Sequence, residues 1–201
     1  HVTAGGNISL LATDKAPSML PLLDAVGDLL PSDTQESVQG ALAGSPIDPS
    51  ANILAMMVSV AGTGGVAVNA ALMGNLVANT VAAEIVGSTV DSTGGSINLD
   101  AQSKAGILSL TVGVAGSGAV AVNATGFGNV VTNRVEASIA DGSDVYALGA
   151  INLAAMDSSQ IRSLGVSVAG TGAVAAGALI AANVITDTVE AEISGSIVDT
   201  G

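Results

Sequence analysis

The chain has 201 residues and a formal net charge of −13, because 17 acidic residues outnumber only 4 basic ones. Such a surface repels phosphate backbones and anionic lipids, so we expect no nucleic-acid binding and no association with acidic membranes. There is no cysteine, which excludes disulfides and thiolate metal sites, and there is one Phe, one Tyr and no Trp. Small and β-branched residues suit thin, regularly stacked layers better than an irregular globular core.

Residues 1–12 are predicted to be a partial repeat. The stretch 2–10 matches the stretch 90–99 with one deletion. It therefore carries only the last portion of a unit that recurs in full later in the chain.

Residues 13–52 break this pattern and are predicted to be a helical insertion. The first apolar residues of this segment follow helical spacing, and the predicted helix ends at Pro31. These residues are Met19, Leu22, Leu23, Val26, Leu29 and Leu30. Residues 32–36 then offer capping-box chemistry for a second helix that continues to Ala43, before Gly44 and Pro46. Helix is thus expected only within residues 18–43.

The remainder of the chain copies itself every 54 residues. The heptapeptide Val58–Gly64 returns as Val112–Gly118 and again as Val166–Gly172. Self-similarity at a fixed period indicates a stacked architecture in which each copy buries its apolar face against the next. We divide this part of the chain into residues 53–106, residues 107–160 and a truncated third repeat, residues 161–201.

Period-2 alternation predicts that each repeat is built of β-strands. In the clearest run, Val81, Ala83 and Ile85 share one face and Thr80 and Glu84 lie on the other. Equivalent runs follow in the next two repeats. We therefore predict an all-β fold, a parallel β-solenoid of 54-residue repeats with a helical insertion. A repeat could form two rungs or one broad rung with a hairpin.

One polar position recurs at the same period, at Asn75, Asn129 and Asn183. Stacked amides can form a ladder along a solenoid, and an unpaired buried amide costs about 1–3 kcal/mol. We predict a structural ladder at these three residues. Asparagine is also common in turns, which would explain the spacing equally well.

The chain offers little for catalysis, and we expect it not to be an enzyme. A relaxed dinucleotide fingerprint fits at Gly170, Gly172 and Ala175, but it recurs in all three repeats, which is more typical of scaffold. His1 is the only histidine, so no Ser-His-Asp triad can form without it. The pair Glu190 and Glu192 could in principle act on glycans, although a solvated acidic face is the simpler interpretation.

No cofactor and no metal are expected. Calcium is the one candidate ligand, at acidic residues in or near turns. These are Asp91, Asp141, Asp144 and Asp199. The glycine-rich calcium repeat of solenoids is absent from the sequence. A long charge-free stretch runs from Asp48 to Glu84, but glycines and asparagines interrupt it too often for a transmembrane helix.

The repeats resemble those of very large bacterial secreted adhesins, the filamentous, leukotoxin-like and two-partner-secreted exoproteins. The resemblance rests on the run Val-Ala-Gly-Thr/Ser-Gly-Ala-Val-Ala-Val-Asn, as in Val114–Asn123, then on Asn-x-Val-x-Ala-x-Ile, Gly-Ser-x-Val and Gly-x-Ile-Asn-Leu-x-Ala. It covers residues 1–12 and 53–201, and residues 13–52 depart from it. It implies an extracellular β-solenoid stalk at the cell surface and supplies no catalytic residues.

These observations favour a structural function, that of a spacer or filament segment of an extracellular adhesin. The alternative is a carbohydrate-binding or polysaccharide-degrading solenoid that uses acidic residues on one face. The expected partner is the chain itself, by end-to-end stacking, or neighbouring repeats of a longer chain. Host or matrix glycans are a further possible partner.

Overall fold

The computed structural model describes residues 1–17 and 51–201, and every regular element in these ranges is a β-strand. The strands are β1 (Val2–Ala4), β2 (Ile8–Lys15), β3 (Ile53–Thr63), β4 (Val66–Val77), β5 (Thr80–Val86), β6 (Thr89–Ser92), β7 (Ile97–Lys104), β8 (Gly106–Ser117), β9 (Val120–Val131), β10 (Arg134–Ala140), β11 (Asp144–Ala147), β12 (Ile151–Asp157), β13 (Gln160–Thr171), β14 (Val174–Ile185), β15 (Thr188–Ile193) and β16 (Ile197–Thr200). This is the predicted all-β, parallel β-solenoid.

The strands stack in five parallel sheets, whose orders are β1-β6-β11-β16, β2-β7-β12, β3-β8-β13, β4-β9-β14 and β5-β10-β15. Equivalent residues of successive repeats lie side by side: Val112 pairs with both Val58 and Val166. One 54-residue repeat is therefore one broad coil of five strands, which decides between the two arrangements that the sequence left open. The partial repeat at the start follows the same register, since Val2 pairs with Val90 and Ile8 with Ile97.

Three of the five sheets enclose an apolar core, and we call this part of each coil the lobe. It comprises the sheets that contain β5, β6 and β7. The inward residues are aliphatic, and in the central coil Val135, Ala137 and Ile139 are fully buried. The opposite face of β10 carries Arg134 and Glu136. The predicted assignment of apolar and polar faces to these strands is thus confirmed.

The other two sheets lie face to face and form a flat arm, made of β3-β8-β13 on one side and β4-β9-β14 on the other. A short turn joins them at the tip of each coil, as at Gly118 and Ala119 between β8 and β9. The interior of the arm is partly polar, because the side chains of Asn123, Thr125 and Asn129 are buried in it beside that of Phe127. The valines that alternate with them on β9 point away from the arm.

One coil accommodates an extra residue without loss of register elsewhere. The turn between β10 and β11 contains Asp141 and Gly142, both with positive φ, where the preceding coil has only Gly87 in that conformation. The offset between coils is therefore 55 residues at Ser88 and Ser143 but 54 at Asn98 and Asn152, after β11. A left-handed residue closes the turn tightly, so the insertion stays outside the stacked strands.

The start of the predicted insertion needs a correction. Thr13, Asp14 and Lys15 belong to β2, because they continue its pairing with residues 102–104 of β7. The two predicted helices within residues 18–43 lie outside the described residues. The two described stretches meet next to each other, since the Ala51 backbone amide donates to the Pro17 carbonyl at 2.9 Å, and β2 and β3 belong to different sheets. In the part of the chain that the structure describes, no helix could cross a membrane.

Candidate functional site

The predicted asparagine column forms a continuous chain of amide hydrogen bonds inside the arm. Asn75 Nδ2 donates to Asn129 Oδ1 at 2.7 Å, and Asn129 Nδ2 donates to Asn183 Oδ1 at 2.9 Å. The three residues lie opposite one another on β4, β9 and β14. Because each coil presents the same amide at the same level, the donor of one coil meets the acceptor of the next.

Asn129, the middle residue of this column, is fully buried and has partners across the arm as well. Its Nδ2 lies 2.8 Å from Ser109 Oγ and 2.9 Å from Ser163 Oγ, both on the opposing sheet. The two serine hydroxyls are themselves 3.1 Å apart. The column therefore ties the two sheets of the arm to each other in addition to tying coil to coil.

A second column, which the sequence analysis missed, lies nearer the tip of the arm. Asn69 Nδ2 donates to Asn123 Oδ1 at 3.0 Å and to the Ser59 carbonyl at 3.0 Å. Asn123 Nδ2 donates to Ser167 Oγ at 2.9 Å. The two asparagines are spaced by 54 residues, which is a signal in the sequence, but Gly177 takes the place in the third repeat. The column is shorter for that reason and less visible.

A third column stands where the arm meets the lobe. Asn133 Oδ1 accepts a hydrogen bond from the backbone N–H of Asn79 at 3.1 Å. In the same way, Asp187 Oδ1 accepts one from the backbone N–H of Asn133 at 2.6 Å. Here side chains bond to the backbone of the preceding coil, at the corner between two strands. Asn79 Nδ2 also donates to Asp14 Oδ2 at 2.7 Å. An acceptor side chain at each level thus satisfies a backbone amide that no strand pairs.

Where the second repeat meets the third, this corner holds two carboxyl groups, those of Asp157 and Asp187. Burial raises the pKa of Asp157, but hydrogen bonds from the Ser159 amide and hydroxyl outweigh it and the pKa is lowered overall. The pKa of Asp187 is raised, first by burial and then by the neighbouring Asp157 carboxyl, although the Asn133 amide opposes this. Two acids in contact cannot both ionise freely, so one retains its proton to higher pH.

The acidic residues considered for glycan chemistry lie on the outer face of the lobe. Glu190 is paired with Glu136 across neighbouring strands, and Arg134 Nη2 contacts both carboxylates at 2.8 Å. The two carboxylates, that of Glu136 first, raise the pKa of Arg134. Glu192 lies in the next outward position, beside Ser138. Glu190 thus forms an ion pair with Arg134 on a solvated strand face.

The four acidic residues proposed for calcium are not brought together. Asp91 and Asp199 occupy one column but are separated by Tyr146 of the middle coil. Asp144 pairs with Thr89 and Ile197, and Asp141 lies in the preceding turn. Within residues 1–17 and 51–201, no three His, Cys, Asp or Glu side chains are grouped so that they could hold a metal ion.

The glycine motif that suggested a dinucleotide fingerprint forms the stacked turns at the tip of the arm. A Cβ on Gly118 would lie 2.5 Å from the Gly64 carbonyl oxygen of the preceding coil, so close stacking requires glycine there. Thr171 Oγ1 donates to the Ala119 carbonyl at 2.7 Å, which links the next turn. Each motif is followed by a strand, whereas a dinucleotide site requires a helix at that place.

Comparison with known proteins yields no match, whether with a family model, a curated protein or a solved structure.

Proposed function

We propose that this chain is a structural spacer or filament segment of an extracellular bacterial adhesin, at the cell surface and without catalytic activity. The observation that carries the proposal is the unbroken stacking of like on like. Each sheet aligns equivalent residues of successive coils, and the asparagines inside the arm bond to the coil above or below. A catalytic site is usually unique, whereas here the asparagine at 75, 129 and 183 recurs in all three coils.

The open strand edges at the ends of the stack support the same proposal. The outermost strands of a parallel stack present backbone N–H and C=O groups that a further coil can pair. At one end these strands are β13, β14 and β15. Among the described residues, each of them pairs with a strand on one of its two edges. A further coil, from the same chain or from a second copy, would extend each sheet in register.

Deletion of one coil tests the proposed spacer function. Removal of residues 107–160 joins equivalent positions and should leave a shorter β-solenoid that unfolds cooperatively. Removal of residues 107–133 is the matched control, because it joins positions that are out of register and should abolish the fold. Circular dichroism and urea denaturation report both. A full-coil deletion that fails to fold would contradict a modular stack.

The location is tested separately. Antibodies raised against the 201-residue chain should label intact cells of the source organism without permeabilisation. Labelling that requires permeabilised cells would contradict a cell-surface adhesin, whatever the result of the deletion.

The second candidate function is carbohydrate binding on the acidic outer face of the lobe. It is favoured by the cluster of Glu136, Arg134 and Glu190, since paired charges on a flat strand face can contact sugar hydroxyls. A glycan array is the test. Selective binding that is lost in Glu190→Gln/Glu192→Gln, and retained in the control Asp141→Asn/Asp144→Asn, would replace the spacer by this function.

A further inference from the structure

The outer face of the β4-β9-β14 sheet is entirely apolar, which is unusual for the solvent side of a sheet. Every residue that points outward from these three strands is Val, Leu, Ile, Ala or Gly. The largest of them are Val66, Val68, Leu72, Leu76, Ile180 and Val184. Leu72 is 78% exposed, Ile180 68% and Val68 67%, so no part of the chain that the structure describes covers this face. Single exposed apolar residues need no explanation, but a contiguous patch marks an interaction site.

The face also differs from the rest of the molecule in charge. Within residues 1–17 and 51–201 the acidic residues lie in the lobe, in its turns or at the corner where it meets the arm, whereas β4, β9 and β14 contain no charged residue on either face. Two copies that each carry a formal charge of −13 repel one another wherever their lobes approach. The arm sheet is the surface on which two copies can meet with their acidic groups turned away from the contact.

The dimensions of the face suit a second copy. Each strand has 12 residues, so the face measures about 40 Å along the strands at about 3.3 Å per residue. Three strands about 4.8 Å apart give a width of about 14 Å. Two such faces in contact would bury roughly 1,100 Å², just above the approximately 1,000 Å² that a specific protein interface needs.

The face is also shaped for self-complementary packing. Leu72 leans over Gly126, since a Cβ at that glycine would lie 2.8 Å from the Leu72 side chain, and Ile180 flanks Gly126 on the other side. These side chains form a ridge. The adjacent column contains Gly74 and Gly128, where a Cβ would meet no side chain within 4 Å, and it forms a groove. A two-fold axis would place the ridge of one copy in the groove of the other.

From these four observations we propose that the outer face of the β4-β9-β14 sheet docks laterally against the same face of a second copy of this chain. Such pairing is distinct from end-to-end stacking, because it uses the broad side of the arm and leaves the strand edges at both ends open. It goes beyond the proposed spacer function, since it would join two stalks side by side.

Sedimentation equilibrium of the 201-residue chain tests the proposal. We expect a monomer–dimer equilibrium over about 1–100 μM, typical of an interface at the lower limit of size. Association should strengthen as salt rises from about 0.05 to 0.5 M, because screening weakens the repulsion between acidic lobes. A chain that stays monomeric throughout, or that forms open-ended polymers alone, would overturn lateral docking.

Charge substitutions locate the contact. Leu72→Glu/Ile180→Glu should raise the dissociation constant at least about a hundredfold, because like charges would face each other across the interface. The matched control is Leu11→Glu/Met156→Glu, which places the same charges at outward apolar positions of the β2-β7-β12 sheet, 69% and 55% exposed. The control should change the constant less than about threefold. Equal effects of the two pairs would overturn the assignment of the face.

A rescue experiment separates docking from a general effect of charge. Leu72→Lys/Ile180→Lys mixed with Leu72→Glu/Ile180→Glu should restore dimers, whereas neither variant associates alone. The corresponding Lys and Glu variants at Leu11 and Met156 should show no preference for the mixture. Circular dichroism must show that all four variants are folded. Binding of the monomeric wild type to zwitterionic lipid vesicles, in place of self-association, would identify a lipid surface as the occupant and overturn the second copy.

Discussion

The lobe and the arm belong to the same coil and repeat at the same period, yet they bury opposite kinds of side chain. In the lobe the fully buried residues are aliphatic, such as Ile97 and Ile139. In the arm they include Asn123 and Asn129, while Val122 and Val130 of the same strand face solvent. Three sheets enclose a space that aliphatic groups fill, whereas in the arm two sheets face each other directly and Asn129 of one bonds to Ser109 and Ser163 of the other.

The difference shows how repetition offsets the free-energy cost of burying asparagine side chains. An isolated buried amide costs about 1–3 kcal/mol when unpaired. In the arm each asparagine meets an identical group one coil away, so a donor always lies beside an acceptor, as for Asn75 and Asn129. The lobe depends on burial of apolar area and the arm on continuity of its columns. Charge-changing substitutions in the arm should therefore depend on pH, whereas loss of apolar volume in the lobe should not.

The largest effect is expected from a charge in the arm. Asn129→Asp places a carboxylate at a fully buried position among neutral hydroxyls and amides, which should cost about 3–5 kcal/mol near pH 7. Burial raises the pKa of such a carboxyl, so the loss should shrink as pH falls and the group keeps its proton. Urea denaturation of the variant and the wild type at about pH 7 and about pH 4.5 measures the loss of unfolding free energy at each pH. Asn152→Asp, in an exposed amide pair with Asn98, is the control and should cost a few tenths of a kcal/mol.

In the lobe, loss of apolar volume should dominate and should be insensitive to pH. Ile139→Ala removes a fully buried side chain from the central coil and should destabilise by about 3 kcal/mol. Ile193→Ala, at the equivalent position of the third repeat and 50% exposed, should cost only about 1 kcal/mol. Denaturation midpoints of the two variants give the comparison. Equal losses would mean that the lobe core does not depend on coils on both sides.

The asparagine column should show the same dependence on position by a different mechanism. Asn129→Ala should cost about 2 kcal/mol, because Asn75 loses its acceptor and Asn183 loses a donor. Asn75→Ala and Asn183→Ala each break one amide pair and should cost about half as much. Chemical denaturation of the three single variants is the measurement. Three equal shifts below about 0.5 kcal/mol would remove the column as a source of stability.

The smallest effect is expected at the corner carboxyl pair. A raised pKa at Asp187 contributes stability at acidic pH that is lost as pH rises through the raised value, while the lowered pKa of Asp157 acts in the opposite sense. Asp187→Asn restores the amide found at Asn133 and should stabilise near pH 7 by no more than about 0.5 kcal/mol, since solvent screens the pair. No gain should appear near pH 3. A larger gain at acidic than at neutral pH would reverse the assignment of the two carboxyls.

Much of the candidate site was visible in the sequence because spacing is a direct record of stacking. The 54-residue separation of Asn75, Asn129 and Asn183 predicted a column but was equally compatible with asparagines in turns, and the structure joins the three by hydrogen bonds. The Asn69 and Asn123 pair has the same spacing but was missed, because the third repeat has Gly177. The partners across the arm, Ser109 and Ser163, could not be foreseen, since spacing says nothing about which strands face each other.

By itself the sequence determined the period, the strands and the register, because identical residues at equal intervals align only when each copy lies directly on the last. Alternation also showed which residues share a face. Only the tertiary structure decided which face is inside. In the lobe the apolar face turns inward, but in the arm β8 lies against β9 with amides and hydroxyls between them, and Leu72 and Val68 are left outside. The physical reason is that hydrogen bonds between coils satisfy the buried amides, and this compensation exists only once the coils are stacked.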